Sequence, residues 1–256
     1  MLPVLQVGPL AIQVPGLVLL LGLWLGLILS ERYAPQRGVK PNQLDNLVLI
    51  ALVAGVIGAR LVYAARYPAA FAASPMSLVS INPGLLDPWG GAAVGLIAAL
   101  IYGNRKHLPL LPTLDALTPL LAVMAVAQGV SHLASGNAFG APTPLPWGMQ
   151  LWGEKRHPSQ IYEILLATAL LLFFFPGRAL FNRWKPGVYF LAFTASSAVA
   201  SLFLEAFRGD SALTAMGLRS AQIYAWIILA ACLLLIARIG NQVFPESPDQ
   251  TNINLE

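Results

Sequence analysis

The chain has 256 residues, of which 57% are hydrophobic and only 10% charged, with a formal net charge of +4. A soluble domain carries about a quarter charged residues, so this chain cannot cover its own surface with polar groups, and its apolar runs are too long and uncharged for amphipathic core helices. The basic residues are scattered between those runs rather than gathered in a stripe with aromatics, which excludes nucleic acid as a partner and fits membrane orientation instead.

The first apolar run, 14–30, has no Lys or Arg before it and is followed by Ser30-Glu31-Arg32 rather than a small-residue cleavage site, so it reads as a retained span. Further runs follow at 44–65, 88–103, 114–134, 160–176, 186–206 and 219–239. The run at 88–103 is short for a bilayer core of about 30 Å. It opens on Trp89-Gly90-Gly91, where glycines permit a close helix approach. Segment 67–87 carries no Lys or Arg between its apolar and polar residues and reads as a short amphipathic piece along the interface. Segment 136–158 is rich in Gly and Pro, and Trp147 and Trp152 suit an ordered loop anchored at headgroup level. Cys232 sits in an apolar run and reads as a small buried hydrophobe.

Together these features predict an all-α polytopic membrane protein of about seven transmembrane helices. Residues 1–240 form a single bundle in this reading, and 241–256 a polar tail. With the N-terminus outside, the inner segments hold nine Lys and Arg residues and the outer ones five, Arg60 lying within a span. That bias predicts a cytoplasmic C-terminus.

Polar groups within spans cost several kcal/mol unless paired, so each marks a possible site. Arg60, deep in the second run, would attract a carboxylate or a lipid phosphate. Gln128 and His132 are four residues apart on one helix face, and His132 serves either as a general base or as a satisfied structural group. Asp115 opens the same run, where a carboxylate favours its own helix N-terminus. Glu205 and Arg208 are spaced for an intrahelical ion pair, and Gln222 is placed to bridge helices by a hydrogen bond. The densest polar cluster is Glu154-Lys155-Arg156-His157-Pro158-Ser159-Gln160-Ile161-Tyr162-Glu163. Pro158 suits a first helical turn and Ser159 a cap, so Arg156 and His157 would flank a helix N-terminus able to hold phosphate. Gln160 and Glu163 share one face.

Residues 156–163, RHPSQIYE, resemble the RHPSQLYE segment of the bacterial phosphatidylglycerol–prolipoprotein diacylglyceryl transferase family. Further segments match in order: Gly58-Ala59-Arg60-Leu61, Gly140-Ala141-Pro142-Thr143 with Pro146-Trp147-Gly148, Glu205-Ala206-Phe207-Arg208, and Ala221-Gln222-Ile223. The resemblance implies a multi-pass protein of the cell inner membrane. It also implies transfer of a diacylglyceryl group from phosphatidylglycerol to a lipobox cysteine thiol, with glycerol phosphate leaving and no metal or cofactor required. The partners implied are phosphatidylglycerol or another anionic lipid and the preprolipoprotein signal peptide. The catalytic residues expected are His132 and Glu205. The substrate-binding residues expected are Arg60, Asn137, Arg156, His157, Ser159, Tyr162, Glu163, Arg208 and Gln222, with Arg60 and Arg156 converging on one lipid-sized pocket.

The chain departs from the family pattern GRIGNFxNGExxGR over 128–141. Gly129 and Ala141 stand where the resemblance puts arginines, His132 at its first asparagine and Asn137 at its glutamate. Trp89 replaces the histidine of HGG, Pro15 the tyrosine of a first-helix YGL, and Ser201 an arginine before Glu205. Two alternatives therefore stand beside transfer activity: a catalytically silent homologue that binds anionic lipid or partners an active enzyme, and altered chemistry on another lipid.

Overall fold

The computed structural model describes residues 4–7, 10–74, 76, 83–214 and 217–241. A short antiparallel hairpin, β1 (Val4–Val7) and β2 (Leu10–Gln13), leads into α1 (Val14–Tyr33). There follow α2 (Pro41–Arg66), the short α3 (Pro68–Ala73), α4 (Pro88–Arg105) and α5 (Leu110–Ser135). A second hairpin, β3 (Met149–Leu151) and β4 (Glu154–Arg156), precedes α6 (Ser159–Phe173), the short α7 (Ala179–Asn182), α8 (Val188–Glu205) and α9 (Ser220–Asn241). Each predicted apolar run is thus a helix, with ends moved by a few residues. Among the described residues, α1, α2, α5, α8 and α9 are long and apolar enough to cross a membrane by length and composition, whereas α6 has 15 residues. The interfacial piece expected at 67–87 is realised as α3 and a turn at Pro83–Leu85, with 75 and 77–82 outside the described residues. The tail read at 241–256 lies outside them too, beyond Asn241. Neither hairpin was expected from the hydropathy pattern.

Local chemistry sets the helix ends. Proline stands in the first turn of α1, α2 and α4, where a missing N–H costs nothing. Asp87 caps α4 by accepting from the Gly90 N–H at 2.6 Å. Gly136, at φ 80°, closes α5 in the left-handed conformation that favours glycine.

Small residues set the helix pairing. In α1, Gly22 and Gly26 lie against Ala127 and Leu120 of α5. A Cβ on Gly26 would sit 3.0 Å from the Leu120 Cα. Pro119 interrupts α5, and the Leu120 N–H donates across to Ser30 Oγ of α1 at 2.9 Å, so a backbone group beside the break stays satisfied. Gly91 and Gly95 of α4 face the backbone carbonyls of Gly55 and Ala51 on α2. Without a hydrophobic drive between helices in lipid, such close approach supplies the packing energy. Replacing Gly26 with Leu is expected to cost about 1–3 kcal/mol, read as a lower melting temperature in detergent. Gly16→Leu, where a Cβ meets nothing within 4 Å, should stay within about 0.5 kcal/mol of the parent.

The long helices alternate in direction. One end of the bundle gathers the C-terminus of α1, the N-termini of α2, α5 and α8, and the C-terminus of α6, packed through Tyr33, Phe174, Phe181 and Tyr189 and through Ala34, Leu44 and Ala116. At that end Asp115 is fully buried and accepts from the Gly187 and Phe190 N–H groups at 2.8 and 2.9 Å. It therefore serves the N-terminus of α8, not that of its own helix, because its position places it one turn inside α5 and facing a neighbour. Arg37 completes the knot. Its guanidinium lies 3.7 Å from Asp115, donates to Tyr33 Oη and the Phe181 carbonyl, and sits over the rings of Tyr33 and Tyr189. Asp115→Ala removes the counterion of that buried guanidinium and the acceptor of two N–H groups. It should lower unfolding stability by about 3–5 kcal/mol, measured by denaturation in mixed micelles.

Candidate functional site

The opposite end gathers the C-termini of α5 and α8, the N-termini of α6 and α9, and the β3–β4 hairpin. A three-stranded ladder ties them together. Residues 140–143 pair with Arg156 on one side and with Arg208 on the other through isolated bridges. The Ala141 N–H donates to the Phe207 carbonyl at 2.8 Å, Gly209 N–H to Phe139 at 2.9 Å, and His157 N–H to Ala141 at 2.9 Å. The ladder thereby sets the segment after α8 directly beside the entry to α6.

A cavity of about 400 Å³ opens beneath it between α6, α8 and α9. Its polar wall carries Ser159 and Glu163 from α6, Glu205 from α8 and Arg208 just beyond. Thr194, Ser197 and Ser201 form a hydroxyl stripe along α8, and Ala221, Tyr224 and Ile228 of α9 make a largely apolar far wall. The Ser197 Oγ is buried and takes no hydrogen bond among the described residues.

Arg208 is held on several sides. Its Nε lies 3.4 Å from Glu205 Oε1, and its Nε and Nη2 donate to the two Asp210 oxygens at 3.0 and 3.2 Å. Burial works against the charge, but the Asp210 hydrogen bonds and the fields of Asp210, Glu205 and Glu163 outweigh it and raise the Arg208 pKa. Ser211 donates to Glu205 Oε2 at 2.6 Å, and Arg219 donates to the Arg208 carbonyl and to Ser211 Oγ. The expected Glu205–Arg208 pair is present. Asp210, Ser211 and Arg219 were not singled out by the sequence, because their link to Glu205 depends on how the 206–219 connection folds back. The α8 hydroxyls, at three- and four-residue spacing, were a legible signal left unread.

His132 stands behind this wall. Its Nδ1 lies 2.8 Å from Glu163 Oε2, and the Gln128 amide donates to its Nε2 at 2.7 Å. Glu163 lines the cavity; His132 does not. The two helices meet closely there, since a Cβ on Gly129 would lie 2.9 Å from Ile164 and 3.4 Å from Glu163 Cγ.

The other expected residues are distributed around the cavity. Ser159 does not cap α6. Its hydroxyl donates to the Ala138 carbonyl at 2.5 Å, and Pro158 occupies the cap position, where it offers no side-chain acceptor. Gln160 is fully buried and donates to the Asn137 carbonyl, while Asn137 itself is exposed. His157 and Tyr162 line a second, apolar groove of about 420 Å³ with Leu165, Phe203 and Phe207. There the Tyr162 hydroxyl accepts from Trp147 Nε1 at 2.9 Å.

Arg156 and Arg60 line neither of these cavities. Arg156 donates to Glu154 and to the Gly140 carbonyl and lies over the Phe139 ring. Arg60 donates to the Leu85 carbonyl at 3.0 Å on the α2–α4 pair, which meets the rest of the bundle mainly through α1 and the turn at Ala34–Arg37. The cavity brings together Arg208, Glu163 and Glu205, and the expected pair of Arg60 and Arg156 takes no part in it. Trp89, at 81% exposed, does not line the cavity either, and Gln222 points its backbone N–H at Arg219. Among the described residues, no three His, Cys, Asp or Glu side chains gather as metal ligands.

Fold and site together define a multi-pass helical membrane protein with a charge-lined cavity at one end of its bundle. The chain belongs to the prolipoprotein diacylglyceryl transferase family, whose model matches residues 3–238. It is 28% identical over 224 residues to the phosphatidylglycerol–prolipoprotein diacylglyceryl transferase of Trichormus variabilis, covering 82% of this chain and 79% of that one. Its identity to the enzyme of the same name from Gloeobacter violaceus is 30% over 244 residues, 89% of each chain. To that of Nitratidesulfovibrio vulgaris it is 34% over 182 residues, 68% of this chain and 69% of the other.

The ladder depends on Gly140, whose added Cβ would collide with the His157 carbonyl. Gly140→Ala should cost about 1–3 kcal/mol and open the segment Gly148–Lys155 to limited proteolysis.

Proposed function

We propose that this protein transfers a diacylglyceryl group from phosphatidylglycerol to the lipobox cysteine thiol of a preprolipoprotein, in the cavity between α6, α8 and α9. The single observation that carries the reading is the meeting of Arg208, Glu163 and Glu205 on one wall of that cavity, in a chain of this family. Arg208 receives the lipid phosphate and stabilises the charge that grows on it as the bond to the glyceryl carbon breaks. Glu205 and Asp210 aim the guanidinium, and the α8 hydroxyls accept and donate to the glycerol end of the headgroup. The apolar wall of α9 takes the first methylenes of the acyl chains. The groove at Tyr162 and Phe207 receives an apolar stretch of the signal peptide, close to the same wall.

The protein sits in the inner membrane with seven spans, its N-terminus outside and its C-terminus in the cytoplasm. The support is the alternation of the long helices together with the Lys and Arg bias. The cavity then opens at the outer leaflet, where a lipobox peptide arrives. In this reading α4 and α6 complete the spans, short helices being accommodated by local thinning of the bilayer.

Purified protein in phosphatidylglycerol vesicles should move labelled diacylglycerol onto a lipobox peptide. Arg208→Ala should lower kcat by about 10²–10³-fold. Transfer at the parent rate in that variant would remove Arg208 from the site, and a parent protein without transfer would defeat the activity.

A further inference from the structure

Glu163 and Glu205 line the same cavity but are held differently. Both oxygens of Glu205 are engaged, Oε2 by the Ser211 hydroxyl at 2.6 Å and Oε1 by the Arg208 guanidinium at 3.4 Å. Glu163 is held on one side only. His132 Nδ1 takes its Oε2, and among the described residues Oε1 has no hydrogen-bond partner. The side chains of His132 and Glu163 are each 21% exposed, so the contact between them is shielded while Glu163 still reaches the cavity. The titratable and charged groups around Glu163 are His132 from α5, Glu205 from α8 and Arg208 beyond it.

Gln128 decides which nitrogen of the imidazole carries the proton. Its amide N–H reaches Nε2, which must accept, so the ring proton sits on Nδ1 and is donated to the carboxylate. A histidine in that state has no open lone pair for a substrate.

We infer that His132 is a positioning residue that acts through Glu163, and that Glu163 Oε1 is the atom that takes the proton of the incoming thiol. The inference rests on the transferase reading above. The thiol proton passes to Oε1 as the sulfur forms its bond to the glyceryl methylene carbon and the bond from that carbon to the phosphate oxygen breaks. The proton then leaves Glu163 for the departing glycerol phosphate, so charge and atoms balance. Gln128, His132 and Glu163 form one string from α5 to α6 that fixes the carboxylate before the substrate arrives, with the reorganisation completed at folding.

The chain has three histidines, so ¹⁵N-histidine labelling of the full-length protein in micelles, with His132→Ala to identify the resonance, reports the His132 tautomer directly. The expected state is Nδ1–H, lost or shifted in Gln128→Ala and Glu163→Gln. In vesicles of phosphatidylglycerol with a lipobox peptide, His132→Ala should lower kcat about 100-fold with the lipid KM within about twofold. His132→Gln, which restores an N–H donor, should recover at least about tenfold of that loss. An Nε2–H tautomer, a parent-like kcat in His132→Ala, or an equal loss in the Ala and Gln variants would each overturn the inference. A parent protein that shows the Nδ1–H signal yet transfers nothing defeats the transferase reading instead, and with it the proton-accepting role.

Discussion

A polar side chain within a bilayer has no water to fall back on, and on α5 that constraint ties together α1, α6 and α8. Asp115 at one end of this helix must find donors, and finds them at the N-terminus of α8 and on Arg37. His132 near the other end must find an acceptor, and finds it on α6. Pro119 between them breaks the helical bonding, and Ser30 of α1 takes up a neighbouring N–H. Three helices, α1, α6 and α8, are therefore attached to α5 by polar contacts.

Two of the departures from the family pattern meet at the contact between α5 and α6. Where the resemblance puts an arginine at 129 this chain has glycine, and there α5 and α6 approach so closely that even a Cβ would press on Ile164. An arginine side chain does not fit that contact. The close approach in turn places position 132 within hydrogen-bonding reach of Glu163, and the histidine there fills a role open to no apolar residue. The cation of the cavity comes from after α8, in a segment that keeps the family pattern. Arg208 is kept in place by Asp210, by Glu205 and by the ladder that joins its backbone to 139–141.

The entry to α6 divides two environments by helical periodicity alone. Ser159 and Glu163, four apart, face the charged cavity, while Tyr162, Leu165 and Leu166 face the apolar groove. A headgroup and an apolar chain can thus be received on adjacent faces of one helix without either crossing the other. The α2–α4 pair stands apart from both, sealed to itself by glycine contacts, which is why Arg60 serves a local carbonyl rather than the cavity.

Much of this was legible in the residues. Apolar runs located every long helix, because a helix is the one open-ended structure that satisfies its own backbone in lipid, and run length alone reveals it. The octapeptide at 156–163 marked the helix entry that carries Glu163, and the spacing of Glu205 and Arg208 marked their ion pair. Hydropathy could not register the two hairpins, since strands of three or four residues leave no periodic trace. What only the tertiary structure decided was which polar groups meet. Asp115 was assigned to its own helix and serves another, Arg60 and Arg156 were expected on one pocket and line neither cavity, and His132 was placed in the site and stands behind it. Sequence fixes the face of a helix on which a residue lies, but the partner across that face is chosen by which helices the small residues allow to touch.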